Sequence, residues 1–197
     1  MGALSVPSQC AVALKEWATV LEAMARGEQL VLVRKGGLIE PGTGFDLIAN
    51  SFVFYPTFEH QAIKYLRDPY QRYFEEAARH RVPEGQVRFE LFGVAVSSTK
   101  SQDSTIVERL SAFHVYNQTF LSQRLKWQPE QPLMIVLVRV FRLATPVLVP
   151  VTPQYAGCKS WVEVESPIRL EGALPVLDDQ TFEQRSHAVT TLLKPIV

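Results

Sequence analysis

Cysteine is scarce in this sequence, whose 197 residues include only Cys10 and Cys158. Two cysteines can build neither a disulfide framework nor a four-cysteine zinc site. Long hydrophobic runs are also missing, because the longest, from Leu133 to Val138, is far too short to cross a bilayer. The first residues lack the basic and apolar regions of a secretory signal, and Val6 stands where N-myristoylation requires Ser or Thr. We therefore expect a cytoplasmic protein without membrane attachment.

Charge of one sign is not in excess, since 20 Lys and Arg residues balance 20 Asp and Glu residues. Tight, sequence-independent binding to long duplex DNA needs many phosphate contacts, so this balance argues against it. The hydrophobic share of 47% and the charged share of 20% are those of an ordinary globular protein. A folded domain is therefore expected rather than a disordered chain.

Several catalytic motifs are absent from the sequence. There is no G-x-S-x-G nucleophile motif, and the glycines at 42 and 44 are followed neither by a third at nucleotide-loop spacing nor by GK[ST]. No lysine has an acidic residue two positions before it, as nucleases of the restriction-endonuclease fold usually require. The residues at those positions are Ala13, Val33, Ala62, Ser98, Arg124, Gly157 and Leu192.

Polar and charged residues are concentrated between positions 34 and 61. One group is Arg34, Lys35, Gly36 and Gly37, and the other is Thr57, Glu59, His60 and Gln61. Cations beside flexible backbone amides suit a phosphate or carboxylate, and an imidazole beside a carboxylate suits acid–base chemistry. The alternative is purely structural: a solvated strand end, a tight turn and a helix N-terminus whose dipole an acidic side chain stabilises.

The periodicity of the apolar residues predicts a mixture of helices and strands. Helices are predicted at 8–26 (ending at Gly27), from Thr57 as N-cap, at 68–80, at 106–126 and after Asp178 or Asp179. Strands are predicted at 29–34, 51–55, 86–96, centrally at 132–143, and near 147–150 and 159–165, with a polar loop at 97–104. Without regular βαβ alternation, this mixture predicts an α+β fold with a mixed, curved or barrel-like sheet flanked by helices. We expect one domain over residues 1–197, with the C-terminal helix 178–194 as a candidate extension.

Four motifs together resemble a known family. They are LKEWA at 14–18, G-x-Q-x-V-L-V-R-K-G-G at 27–37, YPTFEHQ at 55–61 and GCKSW at 157–161. This combination is similar to a bacterial family, common in photosynthetic bacteria, that is known only as a domain of unknown function. The resemblance implies no activity, cofactor or catalytic residue.

A second resemblance concerns the ASCH type of PUA-like barrel, which begins with a helix followed by G-x-K-x-x-E-x-R. Gly27 and Arg34 match the first and last of these positions, whereas Gln29 replaces the lysine and Leu32 replaces the glutamate. The resemblance implies a PUA-like barrel and an association with RNA or nucleotide binding.

Three functions remain open from the sequence. The first is a module that binds single-stranded RNA or a nucleotide, in which Arg34 and Lys35 hold an anionic group and His60 and Gln61 read a polar edge. This function requires no metal or other cofactor.

The second function is a metal-assisted hydrolase or nuclease that uses Glu59 and His60 with Glu40 or Asp46. The third is a protein-interaction scaffold in which the polar cluster is structural. Cys158 is predicted to be a small buried thiol.

Overall fold

The computed structural model describes residues 6–35, 45–103 and 105–194. Gly36, Gly37 and Glu40 lie outside these ranges. The described strands are β1 (Gln9–Trp17), β2 (Val31–Arg34), β3 (Ser51–Thr57), β4 (Gln86–Ser101), β5 (Leu133–Pro150), β6 (Trp161–Arg169) and β7 (Leu174–Pro175). The described α-helices are α1 (Ala18–Met24), α2 (Arg72–Arg79), α3 (Ile106–Arg109), α4 (Gln118–Lys126) and α5 (Asp179–Leu193). Short 3₁₀ helices occupy Ile63–Tyr65, Asp68–Tyr70, Ser111–Phe113 and Pro153–Tyr155.

All seven described strands belong to one mixed sheet. Their order is β2-β5-β4-β3-β1-β6, and β7 pairs with β5 beside β2. Only β1 and β3 run parallel among the described pairs, and the described path ends at β2 and β6 without closing. The structure confirms the predicted α+β class and mixed sheet, with helices packed beside it.

The core consists of two hydrophobic clusters. Neighbouring strand residues belong to different clusters, as side-chain alternation across a sheet requires: Leu14 and Phe54 lie in one, Ala13 and Val53 in the other. The larger cluster includes residues of α1 and α4 and takes Phe182 from α5. The C-terminal helix is therefore packed into the same core as the sheet.

The predicted helix over 8–26 is wrong in its first half. Residues 9–17 form β1, which lies between β3 and β6, and only Ala18–Met24 is helical. Leu14 and Ala13 are both fully buried because the strand is covered on both faces. Because β1 is buried on both faces, its apolar residues also fall at helical spacing, and this explains the wrong prediction. Gly27 does end the turn as predicted, with a φ of 70°.

Three other predicted boundaries are wrong. Thr57 is the last residue of β3 rather than a helix N-cap. The predicted loop at 97–104 is strand as far as Ser101, because β4 continues alongside residues 133–137 of β5. The predicted helix at 106–126 is interrupted: the Val115 amide donates to Gln29 Oε1, and the Arg67 amide donates to the Val115 carbonyl.

The remaining predicted elements are found. Helix α5 begins after Asp178, whose side chain accepts a hydrogen bond from the Thr181 amide. The predicted central strand at 132–143 is part of β5, which lies between β2 and β4. None of the described helices combines the length and apolar character needed to span a bilayer.

Candidate binding cleft

The sheet opens between β3 and β4. These strands pair only where Ser51, Phe52 and Val53 face Val94, Gly93 and Phe92. Beyond that point β3 continues beside β1 to Thr57, and the start of β4 pairs with the end of β5. A bulge between Phe89 and Leu91 accompanies the separation. Two strand edges therefore face each other across a gap, and alternate backbone groups of each edge point into it.

A cavity of about 930 Å³ occupies this opening. Its walls come from α1, the end of α2, the last residues of β3, the first residues of β4, the middle of β5 and the loop around Tyr155. We call this cavity the cleft. Its volume lies in the range of small-molecule and cofactor sites.

Five lysine and arginine side chains line the cleft, and two of them, Arg26 and Arg88, are paired with carboxylates. Arg26 is held by two carboxylates, Glu22 at 2.7 Å and Glu76 at 2.6 Å. Arg88 forms an ion pair with Glu90. Arg142 Nη2 donates to the Ala25 carbonyl at 2.9 Å, at the end of α1.

Lys15 and Arg81, like Arg142, have no carboxylate within 4.0 Å in the part of the chain that the structure describes. Arg81 is exposed and lies over the ring of Phe58, 5.0 Å from its centroid. Lys15 Nζ donates to the carbonyls of Tyr155 and Gly157, the second at 3.0 Å. These two positive charges are available to an anionic ligand.

Aromatic rings lie beside these cations. The Tyr55 ring makes edge contacts with Phe89 and with Tyr155, at centroid distances of 5.9 and 6.0 Å, and Lys15 lies 5.5 Å from its centroid. Burial raises the pKa of the Tyr55 hydroxyl, and the charges of Tyr155 and Glu59 raise it further. Tyr55 is therefore neutral at physiological pH and can donate a hydrogen bond.

The α1–α2 wall carries an ordered charge network. His80 Nδ1 lies 2.6 Å from Glu22 Oε1, and Arg26 bonds to the same carboxylate. Burial opposes ionisation of Glu22, but the hydrogen bonds from Arg26 and His80 hold its pKa below the usual value. The charged side chains of this wall are thus paired with one another, in contrast to those of Lys15 and Arg81.

Burial likewise lowers the pKa of Lys15, and the negative charge of Glu59 partly offsets this effect. Glu59, one of the binding residues predicted from the sequence, lines the cleft and is exposed. Thr57 also lines the cleft, but its hydroxyl donates to the Glu16 carbonyl at 3.1 Å.

Arg34 lies in a separate, buried ion pair with Glu16, 3.1 Å away. Its Nη1 also donates to the Lys15 carbonyl at 3.2 Å, and its guanidinium lies over the Phe45 ring. Glu16 is only 5% exposed. Arg34 therefore supports β1 next to the cleft rather than lining the cleft.

Lys35 and Gln61 form bonds to helix ends. Lys35 is 5% exposed, and its Nζ donates to the Arg124 and Leu125 carbonyls in the last turn of α4. Gln61 Oε1 accepts from the amide and the hydroxyl of Thr19, in the first turn of α1. Both side chains satisfy helix-end groups that otherwise lack a partner within the helix.

His60 is exposed and has a φ of 63°, which is rare outside glycine. Asp46 forms an ion pair with Lys100 at 3.1 Å, and its carbonyl accepts from the Trp161 indole. Within the described ranges no group of three or more His, Cys, Asp or Glu side chains is placed to hold a metal ion. Cys158 is exposed, so its predicted burial is wrong.

The structure thus divides the predicted polar cluster. Arg34 and Thr57 meet at Glu16, Glu59 faces the cleft, and Lys35 and Gln61 bond to different helices. Lys15 and Arg81 are cleft residues that sequence reasoning missed. Lys15 could have been found because it lies within the LKEWA motif. This motif was predicted to be helical, however, so its position on a strand at the cleft was missed.

Comparison with protein families matches residues 13–188 to a domain of unknown function. The chain belongs to this family, DUF1802, in agreement with the motif resemblance. Among curated proteins, no sequence matches the chain.

Among solved structures, the chain is similar to ASCH proteins of Zymomonas mobilis. One mutant is 9% identical, with coverage of 79% of this chain and 90% of its own and a TM-score of 0.45. A second mutant is 11% identical, with coverages of 92% and 98% and a TM-score of 0.43. The unsubstituted ASCH protein is 10% identical, with coverages of 94% and 97% and a TM-score of 0.41.

Proposed function

We propose that this domain binds single-stranded RNA or a nucleotide in the cleft between β3 and β4. The observation that carries the proposal is the composition of this cavity. It brings Lys15 and Arg81, which have no carboxylate partner among the described residues, together with the aromatic rings of Tyr55 and Phe58. Phosphates bind cations through charge-assisted hydrogen bonds, and bases stack on aromatic faces.

The two cations would contact phosphate in different ways. The planar guanidinium of Arg81 can present two parallel N–H groups to phosphate oxygens, whereas Lys15 acts as a point charge. Lys15 is anchored by backbone carbonyls, so little side-chain entropy is lost when a ligand binds. Arg81 can keep its stacking on Phe58 while its edge bonds to the ligand.

The balanced charge of the chain favours a ligand with few phosphates in contact. The edges of β3 and β4 that are not paired with each other offer backbone donors and acceptors, and such groups can bond to a base edge. We place this function in the cytoplasm, where an exposed free thiol such as Cys158 remains reduced.

The test is fluorescence anisotropy with a labelled six-nucleotide RNA of mixed sequence, at low salt. Arg81→Ala should weaken binding at least tenfold, because a hydrogen bond to a charged group contributes roughly 1.5–3 kcal/mol. The matched control is Arg169→Ala, an exposed arginine on β6 outside the cleft lining. Equal affinities of the wild type and both variants, or no binding by the wild type, would contradict the proposal.

A further inference from the structure

His80, the residue that follows α2, lines the cleft with only one of its two ring nitrogens bonded. Its Nδ1 lies 2.6 Å from Glu22 Oε1, and in the described ranges no protein group bonds to its Nε2. Burial opposes ionisation of Glu22, but its hydrogen bonds to Arg26 and His80 hold its pKa below the usual value. The carboxylate is therefore ionised at neutral pH and can only accept, so Nδ1 carries the hydrogen of this bond.

The free nitrogen Nε2 is consequently the atom at which the His80 ring gains or loses a proton. In the neutral ring Nε2 is an acceptor, and in the imidazolium it is a donor, whereas the Nδ1 bond to Glu22 is the same in both forms. Glu22 thus fixes the orientation of the ring. Only the imidazolium can donate from Nε2 to a phosphate oxygen.

The charges of the α1–α2 wall determine which form suits a phosphate. Arg26 bonds to the carboxylates of Glu22 and Glu76, so with a neutral His80 two negative charges stand against one positive charge. This excess of negative charge repels a phosphodiester, and a proton on His80 cancels it. Arg81, the next residue, lines the same cleft and has no carboxylate within 4.0 Å in the described part of the chain. Imidazolium and Arg81 together leave this side of the cleft positive.

The other charged groups around His80 keep their charge near neutral pH. Helix α2 packs against α1, which carries Glu22 and Arg26, and against the 3₁₀ helix Asp68–Tyr70 at its other end. The charged residues in its last turn and in the segment after it are Glu76, Arg79, Arg81 and Glu84. Carboxylates stay ionised and guanidinium groups stay protonated between about pH 6 and 7.5, whereas an imidazole titrates there.

We infer that His80, held by Glu22, binds a phosphodiester of single-stranded RNA as the imidazolium, beside Arg81, so that RNA binding takes up a proton; this inference rests on the proposed function. His80 is a ligand-binding residue and Glu22 is a positioning residue. A bound phosphate favours the protonated ring because opposite charges attract, so the affinity for RNA rises as the pH falls.

The experiment measures the dissociation constant by anisotropy between about pH 6 and 7.5, at constant low ionic strength. The probe is a labelled six-nucleotide oligouridine RNA without a terminal phosphate, because neither its bases nor its internal phosphates titrate in this range. The dissociation constant of the wild type should rise several-fold across the range, and by at most about tenfold per pH unit, the limit for uptake of one proton.

Three variants assign this dependence to a residue. His80→Asn keeps an amide donor for Glu22 but cannot titrate, so its dissociation constant should not vary with pH. His187→Asn, an exposed histidine of α5 outside the cleft lining, should retain the dependence of the wild type. Arg81→Ala should bind more weakly at every pH and keep the same slope, because the phosphate loses a donor that does not titrate.

Glu22→Gln tests the positioning role. Without the carboxylate charge the bound imidazolium is less stable, so the dissociation constant should begin to rise at a lower pH than in the wild type. The control is Glu75→Gln, which removes an exposed carboxylate of α2 outside the cleft lining and should leave the profile unchanged. A profile that is equal in Glu22→Gln and the wild type would contradict this role.

Proton uptake can also be measured on the wild type alone, which covers the case that His80→Asn does not fold. Calorimetric titration with the same RNA at about pH 7, in two buffers with different heats of ionisation, should show uptake of a fraction of one proton. RNA binding without proton uptake, or with the same pH dependence in His80→Asn, would overturn the inference and leave the proposed function standing. Absence of RNA binding by the wild type at every pH would overturn the proposed function itself.

Discussion

Buried polar residues show, at the residue scale, how much of this fold depends on single side-chain partners. His114 is 1% exposed; its Nε2 donates to the Val107 carbonyl at 2.7 Å, and its Nδ1 accepts from the Tyr116 amide at 3.1 Å. One ring nitrogen donates and the other accepts, so the bonds require the neutral imidazole. Burial lowers the pKa of His114 to about 4.

His114 should make stability depend on pH between about 4 and 6.5. In this window the unfolded chain binds a proton at His114 and the folded chain does not, so the free energy of unfolding falls as the pH falls. The full loss is on the order of 3 kcal/mol, at 1.36 kcal/mol per unit of pKa difference. Urea denaturation at a series of pH values measures this slope.

The variant for that experiment is His114→Gln, and the control is His187→Gln, an exposed histidine of α5. His114→Gln should reduce the slope by up to one proton, while His187→Gln should leave it near that of the wild type. Identical slopes in all three proteins would show that His114 is protonated equally in the folded and unfolded states.

Arg34 and Glu16 form the second residue-scale case. Arg34→Ala would leave the Glu16 carboxylate buried without its cation, which typically costs about 3–5 kcal/mol. Arg109→Ala breaks an ion pair with Asp103, whose side chain is 43% exposed, and should cost much less because water screens this pair. Chemical denaturation gives both values. A similar cost for the two variants would contradict the assignment of Arg34 as a structural residue.

The sequence predicted Arg34, at the end of a strand, as a ligand-binding residue and did not predict its structural role. Its partner Glu16 was predicted on a helix, whereas it lies on strand β1 and forms an ion pair with Arg34 of β2. Because β1 and β2 are not neighbours in the sheet, this ion pair depends on how the whole sheet folds, which local sequence patterns do not encode.

At the scale of elements, local sequence patterns correctly predicted the segments whose structure depends on residues within the segment itself. Gly27 is such a case: its φ of 70° ends the turn after α1, and an added Cβ would lie 2.4 Å from Leu177 Cδ2. Helix α5 is another, because Asp178 caps it locally. The helix predicted at 106–126 failed because Val115 bonds to Gln29, 86 residues away.

Gly27→Ala should therefore destabilise the fold more than Gly85→Ala does. Both glycines have positive φ, which costs an alanine about 1–2 kcal/mol. Only Gly27 adds a clash, with a further cost of about 1–3 kcal/mol, because the space around Gly85 is open within 4 Å. Equal midpoints of urea unfolding for the two variants would show that Leu177 moves aside without cost.

The cleft is a property of the whole molecule, since it results from the way two strands separate from each other while each stays paired with another strand. Residues 51–53 of β3 pair with β4, and the two strands then follow different partners. Glu59 was selected from the sequence and does face this space, but Lys15 reaches it from β1 and Arg81 from beyond the end of α2. The spatial meeting of these three segments follows from the topology, which the sequence alone did not disclose.

The most direct test is to locate the RNA-binding site on the protein. Backbone amide shifts of the labelled protein, followed by NMR during titration with the six-nucleotide RNA, should change at residues 55–59 and 81–88 and at Lys15. Residues of α5, which lie outside the cleft lining, should be unaffected. Shift changes confined to surfaces away from β3 and β4, with the cleft residues unmoved, would contradict the central claim.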